Sequence, residues 1–431
     1  MGKLLTIIFI GALLLSSTIL YTNTKAIPAF ARKYETSCVT CHIGFPKLNS
    51  FGEAYRLNGY QYPEDDADQT KDEPVSLGSE SYKRVFPKAV WPNDISGKPP
   101  IALRVESGFE YDRTEEIKTS FIAPSLTLFS AGTMGENIGF YAGAHLFEEG
   151  EIGSLGRAFI QLSNFLEPKL GKNTLNIRLG QFIPNIVSFS NHRGLAVTPY
   201  AYNTYSATSE GFSGGHAHGS TSFGLEALQV GLELSGIIKS KFRWGAGLVN
   251  GAGSATETNS AKDGYFKADY KFGGMGYDGS ESNPDQSGRN WVEKSIAIGG
   301  FSYFGSTKNN DLAGPNDLKI ARYGININLY WNNSNLFGGW INGNDEAMDL
   351  SVLEEKKYDL AFTELNQVVY PWLIGLIRYE RAEPENALAI ERTVLGFTAL
   401  YRANMKFVFE TAFDPSDVNF GNMVIKLDFA I

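Results

Sequence analysis

The chain of 431 residues has a formal net charge of -9, 13% aromatic residues, 46 glycines and only two cysteines. With no basic face to neutralise phosphates, nucleic acid is excluded as a partner. Glycine and aromatics spread along the whole length are unlike an ordinary soluble domain; a pleated membrane wall with interfacial rings uses both.

Lys3, the apolar run from Leu4 to Leu15 and the small-residue site Thr24-Lys25-Ala26 read as a signal peptide over residues 1–26. The mature chain then starts near Ile27, on the far side of the inner membrane.

Residues 27–62 hold the motif Cys38-Val39-Thr40-Cys41-His42. The spacing C-x-x-C-H is the attachment signature of a c-type haem: two thiols form thioethers, and the adjoining imidazole becomes the proximal iron ligand. A thioredoxin-type redox pair expects a βαβ setting that is absent here. A structural zinc wants four ligands, yet the chain has two cysteines and no second histidine before His145. A plain disulfide remains open in an exported protein. Phe30, Phe45, Leu48, Phe51, Tyr55, Leu57 and Tyr60 are available to wrap a porphyrin, with a short helix expected over Lys47 to Leu57. A unit of about 35 residues rarely supports its own core, so a cofactor and a larger surface are expected to hold it.

Residues 63–100 turn acidic and rich in proline and glycine, the composition of an extended connector. From Ile101 to Ile431 the hydrophobic period is two. Tyr323, Ile325, Ile327 and Leu329 alternate with Arg322, Gly324, Asn326 and Asn328, and Phe266, Tyr270 and Phe272 oppose Lys267, Asp269 and Lys271. About sixteen such segments are expected, centred at Arg104, Leu126, Tyr141, Ile160, Ile177, Leu232, Gly245, Ala268, Ile298, Asn326, Gly339, Leu360, Leu376, Phe397, Phe409 and Ile425. The fold expected is all-β: a transmembrane antiparallel barrel over 101–431, its lumen plugged by the haem segment. An outward first strand makes Lys239-Ser240, Asn332-Asn333-Ser334, Tyr370-Pro371 and Arg402-Ala403-Asn404 short inner turns. Pro184 to Ser222 then becomes the longest outer loop, solvated and mobile. Gly273 to Asn290 is too long for an inner turn, and signals either an extended turn or a miscounted pair.

PAFARKY, SCVTCH and FPKLNSFGEAYRLNGY together resemble the N-terminal motif of the fused outer-membrane cytochrome-porins, the monohaem iron-oxidase family of Fe(II)-oxidising bacteria. The resemblance covers about 35 residues. It implies one covalent haem c on Cys38 and Cys41, with His42 as proximal ligand, inside a barrel of about sixteen strands. It further implies oxidation of extracellular Fe(II), the electron passing to a periplasmic cytochrome or similar carrier, with outer-membrane lipid around the wall. Electron export to an extracellular acceptor is a second reading. A solute porin whose haem segment is only a structural plug is a third.

For the sixth iron position the candidates are His145, which shares lumen-facing parity with Tyr141 and Gly143, and the α-amino group near Ile27. Five-coordinate iron, or iron bound by water or lysine, also stays open. On the long outer loop His192, His216 and His218 could offer imidazoles to a passing divalent ion. Glu106, Glu110 and Glu233 are expected in the lumen, where acidic side chains guide cations or simply wet the wall.

Overall fold

In the computed structural model, residues 28–431 are described apart from 64–65, 74, 77, 79, 90–93, 96, 114, 187, 208–209, 213–217, 220–221, 224, 252–259, 281–288, 309–316, 350–351 and 418–420. Sixteen strands close into one antiparallel barrel. They are β1 Ile101–Asp112, β2 Thr119–Thr133, β3 Ile138–Glu148, β4 Leu155–Leu162, β5 Asn176–Phe182, β6 Gln229–Ile238, β7 Phe242–Val249, β8 Asp263–Gly273, β9 Glu293–Lys308, β10 Asp317–Asn332, β11 Ser334–Asp349, β12 Val352–Tyr370, β13 Leu373–Pro384, β14 Ile390–Arg402, β15 Met405–Phe413 and β16 Asn422–Ala430. Closure comes from β16 against β1, in register from Asn422 opposite Asp112 to Ala430 opposite Arg104. Every expected strand centre lies inside one of these strands.

The wall is inside out relative to a soluble protein. On β8, Phe266, Tyr270 and Phe272 are 50%, 45% and 53% exposed, whereas the intervening Lys267 and Asp269 are 1% and 2% exposed. Water would penalise that exterior. A lipid bilayer favours it, because closure leaves no strand edge with unpaired backbone groups. Exposed Trp331, Tyr370 and Trp372 supply interfacial rings at the short-turn end.

The long turn after β8 is an extended turn and not a miscounted pair, since β8 and β9 are directly paired down to Gly273 opposite Ser295. It packs onto the N-terminal segment: Asn290 Nδ2 donates 2.8 Å to the His42 carbonyl and also to that of Val39.

That segment occupies the lumen as α1, Ala29–Lys33, a 3-10 turn over Cys38–Thr40, a small hairpin pairing His42–Gly44 with Lys47–Leu48, and α2, Ser50–Leu57. The helix starts three residues later than expected because Lys47 and Leu48 are used in the hairpin. Asn49 caps α2, accepting 2.8 Å from Gly52 N, while Glu53 and Arg56 suit the two ends of its dipole. Phe30 stacks on Tyr60 at 5.4 Å, Tyr60 on Tyr141 of β3 at 5.7 Å, and Tyr141 on Phe159 of β4 at 5.7 Å. Gly139 of β3 is needed there, since a Cβ would stand 2.3 Å from the Gly59 carbonyl oxygen. Ile43 packs with Val368, Ile374, Leu376 and Val394 on the opposite side of the barrel.

The connector is less uniform than its composition suggests. It holds short helices at Asp66–Gln69 and Glu80–Val85 and pairs Val75–Ser76 with Asp94–Ile95. The signal-peptide residues and Ile27 lie outside the described residues.

The loop between β5 and β6 overturns the expectation of a mobile outer loop: it folds inward and lies against the plug. Leu195 joins the Ile43 cluster, and Arg193 meets Glu53 at 3.5 Å. Glu410 of β15 accepts from Val197 N and Thr198 N at 2.8 and 2.5 Å. Glu380 of β13 accepts from Ala201 N at 2.6 Å, and Arg378 Nη2 donates 2.6 Å to the Thr198 carbonyl. Backbone groups in a buried loop need partners, and the charged lumen wall provides them.

Candidate functional site

Cys38 and Cys41 sit at the two ends of a single helical turn, half-buried, as free thiols. Burial pushes both thiols up, Cys41 to about 12 with a further contribution from Cys38, so both are protonated at neutral pH. His42 leads directly into the hairpin. Its Nδ1 is enclosed and has no hydrogen bond, and its ring stands 5.4 Å from that of Phe45. Burial lowers its pKa to about 4, against contributions from the Pro46 and Lys47 backbone. The imidazole is therefore neutral, the form in which histidine binds metals.

The motif is held rigidly from the helix side. Asn49 N donates 2.9 Å to the Cys41 carbonyl and Asn49 Nδ2 donates 3.0 Å to the Thr40 carbonyl. Gly52 lets α2 rest on the same turn: a Cβ there would lie 2.1 Å from Cys41 O. Gly52→Ala is expected to destabilise this packing by about 1–3 kcal/mol, read as faster proteolysis between Lys33 and Arg56 with an unchanged barrel.

Across the lumen, Arg104 of β1 and Lys406 of β15 lie over the Phe45 ring, 5.2 and 6.0 Å from its centre. Both belong to strand ends on the short-turn side, which places His42 near the inner mouth. Lys47 is buried, and its pKa falls to about 8 through burial, opposed by Glu364 and Glu53.

Glu53 links the plug to the inward loop. Burial raises its pKa, but Arg56, Arg193 and Arg243 outweigh that and hold the carboxyl at about 2, below its ordinary 4.5. A depressed carboxylate pKa contributes stability above the unfolded value, lost as the pH falls through the folded one. Protection of residues 188–201 from protease should therefore persist at pH 5 and decline between about 4.5 and 2. Glu53→Gln should show the weakened state already at neutrality.

The other candidates stand apart from His42. His145 lies on β3 with Nδ1 3.3 Å from Thr127 Oγ1 on β2. Its distance along the strand from Ile138 at the inner end is roughly 20 Å. His192 lies in the short turn Asn191–Arg193 of the inward loop, its backbone N bonded to Ser190 Oγ at 3.2 Å. His216 lies outside the described residues; His218 pairs through its backbone with Phe223. Among the described residues no group of three or more His, Cys, Asp or Glu side chains gathers to hold a metal ion. Nor do Glu106 and Glu233 form an acidic ring. Glu106 pairs with Arg104 and Lys426 at 3.0 and 2.9 Å, and Glu233 pairs with Arg178 at 3.0 Å and accepts from Tyr265 Oη at 2.6 Å.

Sequence reasoning missed Asn49, Gly52, Asn290 and Arg193. Asn49 carries a local signal, an asparagine just ahead of an apolar-periodic helix. Asn290 and Arg193 carry none, because their partners are far away in the chain.

No family model matches this chain and no curated protein matches it. Solved structures do. It superposes on OmpF of Salmonella typhi, solved in complex with daunomycin, with TM-score 0.53, 9% identity, and 79% of this chain and 98% of that one covered. For an anion-selective porin from Comamonas acidovorans the values are 0.52, 12%, 77% and 98%, and for another porin 0.51, 12%, 78% and 100%. At such identity the likeness is one of fold. The lipid-facing wall, its closure and these neighbours together make the chain an outer-membrane β-barrel of the porin fold, its lumen filled by the segment that carries Cys38, Cys41 and His42.

Proposed function

We propose that this protein carries single electrons across the outer membrane, taking them from extracellular Fe(II) and passing them to a soluble periplasmic cytochrome or similar carrier. The observation that carries the reading is the Cys38–Cys41–His42 turn itself: two free thiols on one turn beside a neutral imidazole with an unpartnered ring nitrogen, mounted inside the barrel. That donor set fits a covalent haem c, with thioethers at Cys38 and Cys41 and His42 on the iron. The bound haem supplies reversible one-electron chemistry. The protein's own contribution is placement and enclosure. Asn49, Gly52 and Asn290 fix the turn, while Arg104 and Lys406, both paired with Asp428, cover the Phe45 ring. Each Fe(II) becomes Fe(III) by giving up one electron, and the carrier is reduced by one, so no proton need move.

A redox titration of the purified protein followed by absorption tests this. One covalently attached haem per chain, reduced by added Fe(II), is expected. Two unmodified thiols in the exported protein would refute the reading. A midpoint potential too low for reduction by Fe(II) would reverse the direction of flow. Ion conductance that persists unchanged in an assembled His42→Ala variant would favour the solute porin.

A further inference from the structure

The plug buries a cation that its surroundings leave unanswered. Lys47, opposite Gly44 in the hairpin, is 7% exposed. Its ammonium lies 4.4 Å from the centre of the Phe337 ring on β11. Among the described residues it makes no hydrogen bond and no ion pair, and Glu364 and Glu53 act on it only through space. Arg193 of the inward loop is little better served. Its Nε is enclosed without a hydrogen bond, and its carboxylate partner, Glu53 at 3.5 Å, is already engaged by Arg56 at 2.7 Å.

Both side chains line one cavity between plug, inward loop and wall, part of it continuous with solvent. The other cations on its lining are matched: Arg243 by Asp269 at 2.7 Å, Lys271 by Glu293 at 2.6 Å. At the Lys47 and Arg193 end the lining has one carboxylate, Glu53, which is shared with Arg56, so positive charge is in excess there. The lining is mixed: serines and asparagines make much of it polar, while beside Lys47 the stacked rings of Phe189 and Phe337, 4.6 Å apart, give it an aromatic face. A buried ammonium without a counter-charge is strongly disfavoured, so an anion brought beside it is stabilised. The shape asks for an apolar body with one anionic head. A bare inorganic anion would leave the aromatic face unused.

We propose that Lys47 and Arg193 form a carboxylate-binding pole for a ligand with an apolar body lodged in this cavity. Two sources share that chemistry: a carboxylate arm of the tetrapyrrole carried on Cys38 and Cys41, or a free aromatic or aliphatic carboxylate entering the lumen. The first source rests on the function proposed above; the second does not.

The test uses full-length protein in detergent and compares wild type with Lys47→Gln, Lys47→Arg and Arg193→Gln, each checked for heat-modifiable migration as a sign of an intact barrel. Two quantities are measured: the midpoint potential, and the calorimetric binding of benzoate. If the arm belongs to the tetrapyrrole, Lys47→Gln and Arg193→Gln lower the potential at unchanged haem content, Lys47→Arg restores it, and benzoate gives no heat. If the carboxylate is free, benzoate binds wild type and Lys47→Arg but at least tenfold more weakly to Lys47→Gln, with the potential unmoved. Wild-type potential in Lys47→Gln, together with benzoate binding that is absent or indifferent to the substitution, overturns the pole. Absence of haem by mass spectrometry overturns the functional reading instead, and the benzoate titration then decides the pole alone.

Discussion

Protein in which Cys38 and Cys41 are both replaced by alanine is expected to reach the membrane as a closed barrel and to lack the covalent haem absorption that the proposed function requires of the wild type. The two effects separate because they rest on different parts of the chain. The wall is held by strand pairing around the full circumference, including β16 against β1, and neither cysteine touches that ladder. Both thiols sit on one turn of the plug, whose other anchors, the Tyr60 stack on Tyr141 and the Ile43 cluster, stay in place. Each thioether needs one of these two sulfurs, and no other cysteine exists to substitute. The measurement is mass spectrometry and haem-stained electrophoresis beside heat-modifiable migration. Retained covalent haem in the double variant would refute the assignment of these residues.

Arg378→Met should produce the next largest change, at a site far from the motif in the chain. Arg378 is fully buried, 3.5 Å from Glu364, 3.4 Å from Glu380, and bonded to the Thr198 carbonyl. Removing it leaves Glu364 buried without its arginine and frees the inward loop from one of its main anchors. Loss of one partner from a buried ion pair costs about 3–5 kcal/mol. Glu380 retains Arg392 at 2.6 Å, which limits the damage on that side. The loop should therefore loosen while the barrel persists, raising single-channel ion conductance in planar bilayers and exposing residues 194–201 to protease. Glu410→Gln, which weakens the bonds to Val197 and Thr198, should act in the same direction and combine with it non-additively, since both act on one segment. Conductance equal to wild type in both variants would show that the loop does not limit passage.

The division between what could be read and what could not follows the range of the interactions. Strand positions were legible because facing lipid or lumen is decided residue by residue, and alternation such as Phe266, Lys267, Ala268, Asp269 records it within a few positions. The motif was legible for the same reason: Cys38, Cys41 and His42 are neighbours in the chain. The inward course of the loop after β5 was not. Polar, glycine-rich chain reads alike whether it extends into solvent or is received by buried charges, and the receiving groups, Glu380 and Glu410, are 179 to 213 residues away. The length of the turn after β8 was noticed without its cause, which is the pair of bonds from Asn290 to a segment about 250 residues earlier.

By itself, then, the order of residues determined a sixteen-stranded wall and a haem-type motif ahead of it, because both are written in short periods and short spacings. Only the tertiary structure decided that the motif lies inside the wall, that the loop after β5 turns inward against it, that lumen carboxylates such as Glu233 are matched by arginines on neighbouring strands, and that Lys47, among the described residues, meets the Phe337 ring and no carboxylate. The physical reason is that charge pairing and close approach depend on distance in space, and closing a barrel brings together residues that no local pattern connects.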